Sequence, residues 1–217
     1  MAYRQASNAG DVKEDSGDDE EEEVEPWKLF HLDVWLRKGL DVKKPPEPVK
    51  ISEDQKRLVR ETWPRVNAHQ RQAGTHMYLR IFQVCPAIKG VFRLQDVANE
   101  NVTSHPKMMM HAVRFIQSIE VAVDHMDALD EIVAPVFVNL GRRHLHYKNL
   151  LEDQFSMFSH GVLYSWHSAL EHVFKAEVQS AWNQLFEFIV QHMEFGFMTA
   201  LADKEAEQEA LHRKYYG

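Results

Sequence analysis

The sequence predicts an all-α protein of about seven to eight irregularly packed helices, preceded by a disordered acidic tail. Three observations carry this. From Ile51 onward, apolar residues recur at three- and four-residue spacing with almost no two-residue alternation. The helices marked in this way differ in length and are interrupted by a polar corner, which suits irregular packing better than an up-down bundle. The charge is also lopsided. Of the net −8 carried by 217 residues, the first 25 hold two bases (Arg4, Lys13) against ten acids, leaving 23 of each sign in the rest.

Residues 1–26 include seven acids in the eight positions from Asp18 to Glu25, where mutual repulsion and the lack of apolar residues predict disorder. The next stretch, Trp27 to Leu36, holds seven large apolar residues and reads either as a segment docked on the body or as a partner-binding motif. Lys43-Lys44-Pro45-Pro46-Glu47-Pro48 makes a stiff extended linker. Residues 1–50 are therefore an extension, 51–201 the body and 202–217 a charged C-terminal tail.

Within the body, Ser52-Glu53-Asp54-Gln55 is a capping-box start, followed by Leu58, Val59, Thr62 and Val66 on one face. Pro64 lacks an N–H and disfavours helix at Trp63, so the first helix is expected to kink or stop there. A second helix spans about His69 to Val84 with Met77, Tyr78, Ile81 and Phe82 on one side, and Pro86 begins a short turn. After the corner Gln95 to Thr103, Ser104 and Pro106 open a long helix striped by Met108, His111, Phe115, Ile119, Ala122 and Val123. The next runs from near Pro135 to His144 and carries Val136, Phe137, Leu140 and His144. Two long helices close the body, from about Glu152 to Phe174 and from about Ala176 past Leu201.

Composition excludes several functions. A charge-balanced body with an acidic attachment offers no basic face for nucleic acid, and the acidic end is repelled by anionic membranes. No apolar run is long enough to span a bilayer. The single cysteine, Cys85, allows neither an internal disulfide nor a cysteine zinc cage, and the polar, acidic start does not read as a secretory signal, so a cytoplasmic protein is expected.

The chain has thirteen histidines. Two lie on the apolar stripes of different helices: His111, with Phe115, Ile119 and Ala122 following on its face, and His144, with Leu140 one turn and Phe137 two turns before it. An inward-facing imidazole must satisfy both ring nitrogens, so each either hydrogen-bonds a neighbour or ligates a metal. His146 is about 200° round a helix from His144 and His105 about 240° from His111, so both fall off those faces. His76, His125, His160, His167, His172, His192 and His212 read as surface or core-edge residues, and His31 and His69 lie outside the pocket. Met108, Met109 and Met110 read as core filler.

The neighbours of these histidines resemble the globin family, and neuroglobin-like and invertebrate intracellular globins in particular, over residues 52–201. Trp63, Gly74-Thr75-His76-Met77-Tyr78, Pro86 followed by Phe92, His111-Ala112-Val113-Arg114-Phe115, Leu140-Gly141-Arg142-Arg143-His144, Phe155-Ser156-Met157-Phe158 and Ala181-Trp182-Asn183-Gln184-Leu185 stand in globin order with near-constant spacing. The resemblance implies a globin fold and haem b. His144 would be the axial ligand through Nε2, its other nitrogen held by a carbonyl or hydroxyl. It places His111 across the haem, Phe92 packed on the porphyrin, Leu140 and Phe115 on its two faces, Tyr78 reaching the distal side, and Arg114, with His146 near it, at a propionate. No Cys-x-x-Cys-His occurs, so the haem is expected to be non-covalent. Compared with neuroglobin-like chains, the corner between Phe92 and His111 is short, and the stretch between His111 and His144 is slightly long.

Three functions follow from these readings. If His111 ligates iron, the haem is six-coordinate and bis-histidyl, suited to one-electron chemistry or gas sensing. If it does not, the haem is five-coordinate and binds oxygen reversibly, with His111 or Tyr78 donating a hydrogen bond. Without haem, the helices form an interaction scaffold. An enzyme is not expected: no flavin or nicotinamide fingerprint occurs, so turnover of nitric oxide or peroxide would need an external reductant. The partners these readings imply are oxygen or another diatomic gas, an electron donor or acceptor protein, and a basic partner for the tail.

Overall fold

The computed structural model describes residues 45–147, 150 and 154–216; the acidic stretch and the Trp27–Leu36 segment lie outside the described residues. Among the described residues there is no strand. Helix α1 (Glu53–Asn67) begins at the capping box: Ser52 Oγ accepts the Gln55 N–H at 3.2 Å, and Gln55 Oε1 accepts the Ser52 N–H at 2.9 Å. Contrary to the sequence expectation, Pro64 does not end α1, which continues to Asn67. The proline ring removes one bond to the carbonyl of Arg60, and both residues lie on the exposed side. On the opposite face Val59, Thr62, Trp63 and Val66 are buried, and that packing outweighs the missing bond.

Helix α2 (Gln70–Val84) lies between α5 (Pro106–Asp124) and α7 (Phe155–Leu170), burying Met77, Tyr78, Ile81 and Phe82. The short α3 (Ile88–Val91) follows it, and the polar corner folds into a further single turn, α4 (Asn99–Val102). Pro106 opens α5 in its first turn, where a missing N–H costs nothing. Met108 is fully buried as expected, whereas Met110 is 53% exposed and is not core filler: it lies off the buried stripe of Met108, Ala112, Ile116 and Ile119. The stretch between α5 and α6 (Ala134–His144) contains a tight turn, Met126–Ala128, and a wide π-type turn, Leu129–Val133. Such a turn takes up an extra residue without breaking the chain direction, which accommodates the length noted in the sequence.

Helix α7 stops earlier than the apolar pattern suggests, at Leu170. Glu171 takes a left-handed conformation (φ 45°) and a single turn, Glu171–Val173, leads on. The last helix, α8 (Ala176–Tyr216), has 41 residues, about 60 Å at 1.5 Å per residue. It includes residues 202–216 of the charged tail, which are exposed from Asp203 on. Arg142 on α6 pairs with Asp203 at 2.9 Å. Helix α8 packs against α1, α6 and α7.

An aromatic cluster anchors the core at the α1–α7–α8 junction. Trp166 and Trp182 are 4.5 Å apart between ring centres, Trp166 stacks on Phe186 at 4.7 Å, and Trp63 approaches Trp182 at 6.1 Å. Trp182 Nε1 donates to Thr62 Oγ1 at 3.0 Å, so the indole N–H at the centre of this cluster is satisfied.

Candidate functional site

Helices α2, α5, α6, α7 and α8 together enclose a cavity of about 500 Å³. Its walls are mostly apolar: Phe115 from α5, Phe137 and Leu140 from α6, Phe155 and Phe158 from α7, and Ile189, Val190 and Met193 from α8. His111 enters from α5 and His144 from the C-terminal end of α6, and their ring centres stand 6.5 Å apart.

His144 is held in place from within its own helix. Its Nδ1 lies 2.7 Å from the carbonyl oxygen of Leu140, one turn earlier, which fixes the proton on Nδ1 and leaves Nε2 as a free lone pair. Phe155 at 5.8 Å and Tyr147 at 5.4 Å flank the ring. His111 is wedged between Tyr78 at 5.4 Å and Phe92 at 5.1 Å. Burial, with smaller contributions from His144 and Arg114, lowers the His111 pKa to about 4. Burial also lowers that of His144, opposed in part by the Leu140 carbonyl. His111 at least is therefore neutral at pH 7, with a lone pair available.

Tyr78 is fully buried, and its hydroxyl has no hydrogen-bond partner. Burial, and secondarily Tyr147, pushes its pKa well above the ordinary range, so it remains a protonated donor at the cavity wall. Arg114, Arg143 and His146 line the exposed side of the cavity. His146, expected off the His144 face and near a propionate, lines the rim of the same cavity: past His144 the chain tightens into i-to-i+3 turns, with the Leu145 and His146 N–H groups bonded to the Arg142 and Arg143 carbonyls at 3.3 Å. Phe92 touches His111, Tyr78 and Phe82 rather than the cavity itself. His192, read as a surface or core-edge residue, is buried in α8, with Nδ1 2.7 Å from the Phe188 carbonyl oxygen.

The structure thus brings His144, His111, Phe115, Leu140, Tyr78 and Arg114 to one cavity and leaves Phe92 behind His111. Sequence reasoning missed Tyr147, Ser118, Ile189, Val190 and Met193 as cavity residues. The α8 residues belong to an apolar stripe, but no local signal says that this stripe crosses α6. Tyr147 lies in the turn after α6 and carries no motif.

An all-α body enclosing an apolar cavity between two facing imidazoles defines the class: a helical protein built round a two-histidine pocket. The chain belongs to the globin family, whose model matches residues 75–193. It is 24% identical over 157 residues to neuroglobin of Tetraodon nigroviridis, covering 71% of this chain and 98% of the relative. It is 25% identical over 158 residues to a protein of Arabidopsis thaliana named anaerobic nitrite reductase AHB2, covering 72% and 97%. A solved structure, a hexacoordinated heme protein from an anhydrobiotic tardigrade, superposes with a TM-score of 0.65 over 69% of this chain and 96% of that one, at 16% identity.

Proposed function

We propose that this globin binds haem b non-covalently as a six-coordinate, bis-histidyl complex, with His144 and His111 as axial ligands, and works in one-electron transfer or gas sensing. The observation that carries this is the 6.5 Å between the two imidazole centres. An imidazole nitrogen sits about 2.0–2.1 Å from a bound metal and roughly 1.1 Å from its own ring centre, so two axial imidazoles on one ion need about 6.3 Å. The donor set supports the same group. Among the described residues no group of three or more His, Cys, Asp or Glu side chains could hold a metal ion, and a cofactor that brings its own donor atoms suits a site with two facing imidazoles. The mostly apolar walls suit a porphyrin, and Arg114, Arg143 and His146 suit its carboxylates.

Bound haem supplies an iron that changes oxidation state by one electron and binds diatomic gases. The Leu140 carbonyl orients His144 and raises its basicity; Phe155 and Tyr147 restrict the ring's rotation. His111, facing His144 across the cavity, would hold the site where a gas would otherwise bind. Phe115, one turn further along α5, adds apolar surface to the same cavity.

A second reading, a five-coordinate globin that binds oxygen reversibly, is favoured by Tyr78, whose unpartnered hydroxyl is a ready donor to a ligand in the cavity. In both readings the protein is a binding or electron-carrying globin rather than an enzyme, and slow turnover of nitric oxide or peroxide draws on an external reductant. Among the described residues no helix is long and apolar enough to cross a membrane; the location we propose is cytoplasmic, on the single cysteine. The acidic extension suits a basic partner, and an electron donor or acceptor protein completes the one-electron role.

Absorption spectra of the purified protein test the proposal. Low-spin ferric and ferrous bands that turn high-spin in His111→Leu support it, and a high-spin ferrous spectrum in the unsubstituted protein refutes it. Absence of a Soret band after haem addition, or full haem stoichiometry in His144→Ala, removes His144 as the ligand.

A further inference from the structure

The two helices that frame the proximal side touch through a reciprocal pair of glycines. A Cβ placed on Gly141 of α6 would lie 2.0 Å from the carbonyl oxygen of Met193 on α8, and a Cβ on Gly196 of α8 would lie 2.0 Å from the carbonyl oxygen of Val138 on α6. The obstructing atoms are backbone in both directions, so no side chain can turn aside to make room. Each glycine sits three residues from the carbonyl that its partner meets, and the contact is a mutual backbone-on-backbone crossing.

We propose that Gly141 and Gly196 are positioning residues that set how far the His144 imidazole reaches into the cavity; this rests on the haem reading above. His144 is three residues beyond Gly141 and is bonded to the Leu140 carbonyl within the same helix, so the ring travels with α6 as one body. The facing stretch of α8 carries Val190 and Met193, which line the cavity. The crossing therefore fixes the imidazole of one helix against a wall supplied by the other. An alanine at either glycine needs about 3.4 Å for ordinary contact, so the helices must separate by about 1.4 Å. The span between two axial imidazoles tolerates much less than that, because both metal bonds are short and directional.

The test uses the full chain with haem. Gly141→Ala and Gly196→Ala are each compared with Gly161→Ala, whose Cβ would meet Ile81 Cγ1 at 2.5 Å on the α2–α7 contact and thus disturbs the core elsewhere. The expected result is a fall of at least about tenfold in the low-spin to high-spin ratio of the ferric spectrum in the first two, with Gly161→Ala unchanged even where its melting temperature drops as far. A second measurement separates positioning from folding. In His144→Gly, free imidazole supplies the proximal ligand without a tether to α6. It is expected to restore the low-spin spectrum equally well in His144→Gly and in Gly141→Ala/His144→Gly, within about twofold in midpoint concentration. Unchanged ligation in both alanine variants, equal loss in Gly161→Ala, or failure of imidazole to rescue the double variant overturns the proposal. If the unsubstituted protein itself is not low-spin, it is the haem reading that fails, and the glycine variants are not needed to show it.

Discussion

Replacing Tyr78 by phenylalanine removes one oxygen atom that the fold has cut off from water and left without a partner. A buried hydroxyl in that state costs about 1–3 kcal/mol relative to its hydrated form, and the phenylalanine ring keeps the contacts with Phe92 at 5.4 Å and Phe158 at 5.7 Å. The haem-free variant is therefore expected to be more stable than the parent by about 1–3 kcal/mol. For a chain of this size each kcal/mol moves the melting temperature by about 2–4 °C, so the transition should rise by about 2–12 °C in a circular-dichroism melt. The haem-loaded protein separates the two functional readings. If His111 holds the iron, Tyr78 has no ligand to serve until a gas displaces it, and the gas-free ferric and ferrous spectra stay those of the parent. With an open distal face, loss of a hydrogen bond worth about 1.4 kcal/mol speeds oxygen release about tenfold. A haem-free melting temperature that falls or stays the same refutes the reasoning, because the hydroxyl must then have a partner.

Acid should destabilise the haem-free protein over a defined window. The folded state holds His111 neutral down to about pH 4, whereas the unfolded chain protonates it at the ordinary 6.5, so the unfolded state binds more protons between these values. Stability is full above pH 6.5 and is lost as pH falls toward 4, on the order of 3 kcal/mol from His111 alone; urea titrations showing no loss from pH 7 to 4.5 contradict this. Thr62→Val leaves the Trp182 Nε1–H without its acceptor and should lower stability by about 1–3 kcal/mol in the same titration. An unchanged midpoint shows that this hydrogen bond contributes nothing. Deleting residues 1–50 should leave the absorption spectrum unchanged; an altered axial ligation would mean that the Trp27–Leu36 segment docks near the cavity.

What could be read in advance follows from how local each signal is. His111 and His144 were legible because each sits on the apolar stripe of a single helix, and a helix repeats every 3.6 residues whatever it packs against. Helix starts were legible where capping is local, as at Ser52 and Pro106. Pro64 misled because its cost is local while the burial of Trp63 and Val66 that offsets it is tertiary. His146 was legible only in part: α-helical rotation set it off the His144 face, whereas the tighter turn that follows α6 brings it to the cavity rim.

The sequence by itself determined the helical class, the inward histidines, the globin-like order of motifs and the confinement of the net charge to the first 25 residues, since periodicity, spacing and composition all act along the chain. Only the tertiary structure decided that the two imidazoles stand 6.5 Å apart, that the Tyr78 hydroxyl is left without a partner, and that α6 and α8 meet backbone to backbone at Gly141 and Gly196. These are distances between helices remote in sequence. They are set by how closely packed surfaces allow helices to approach, which no single segment encodes.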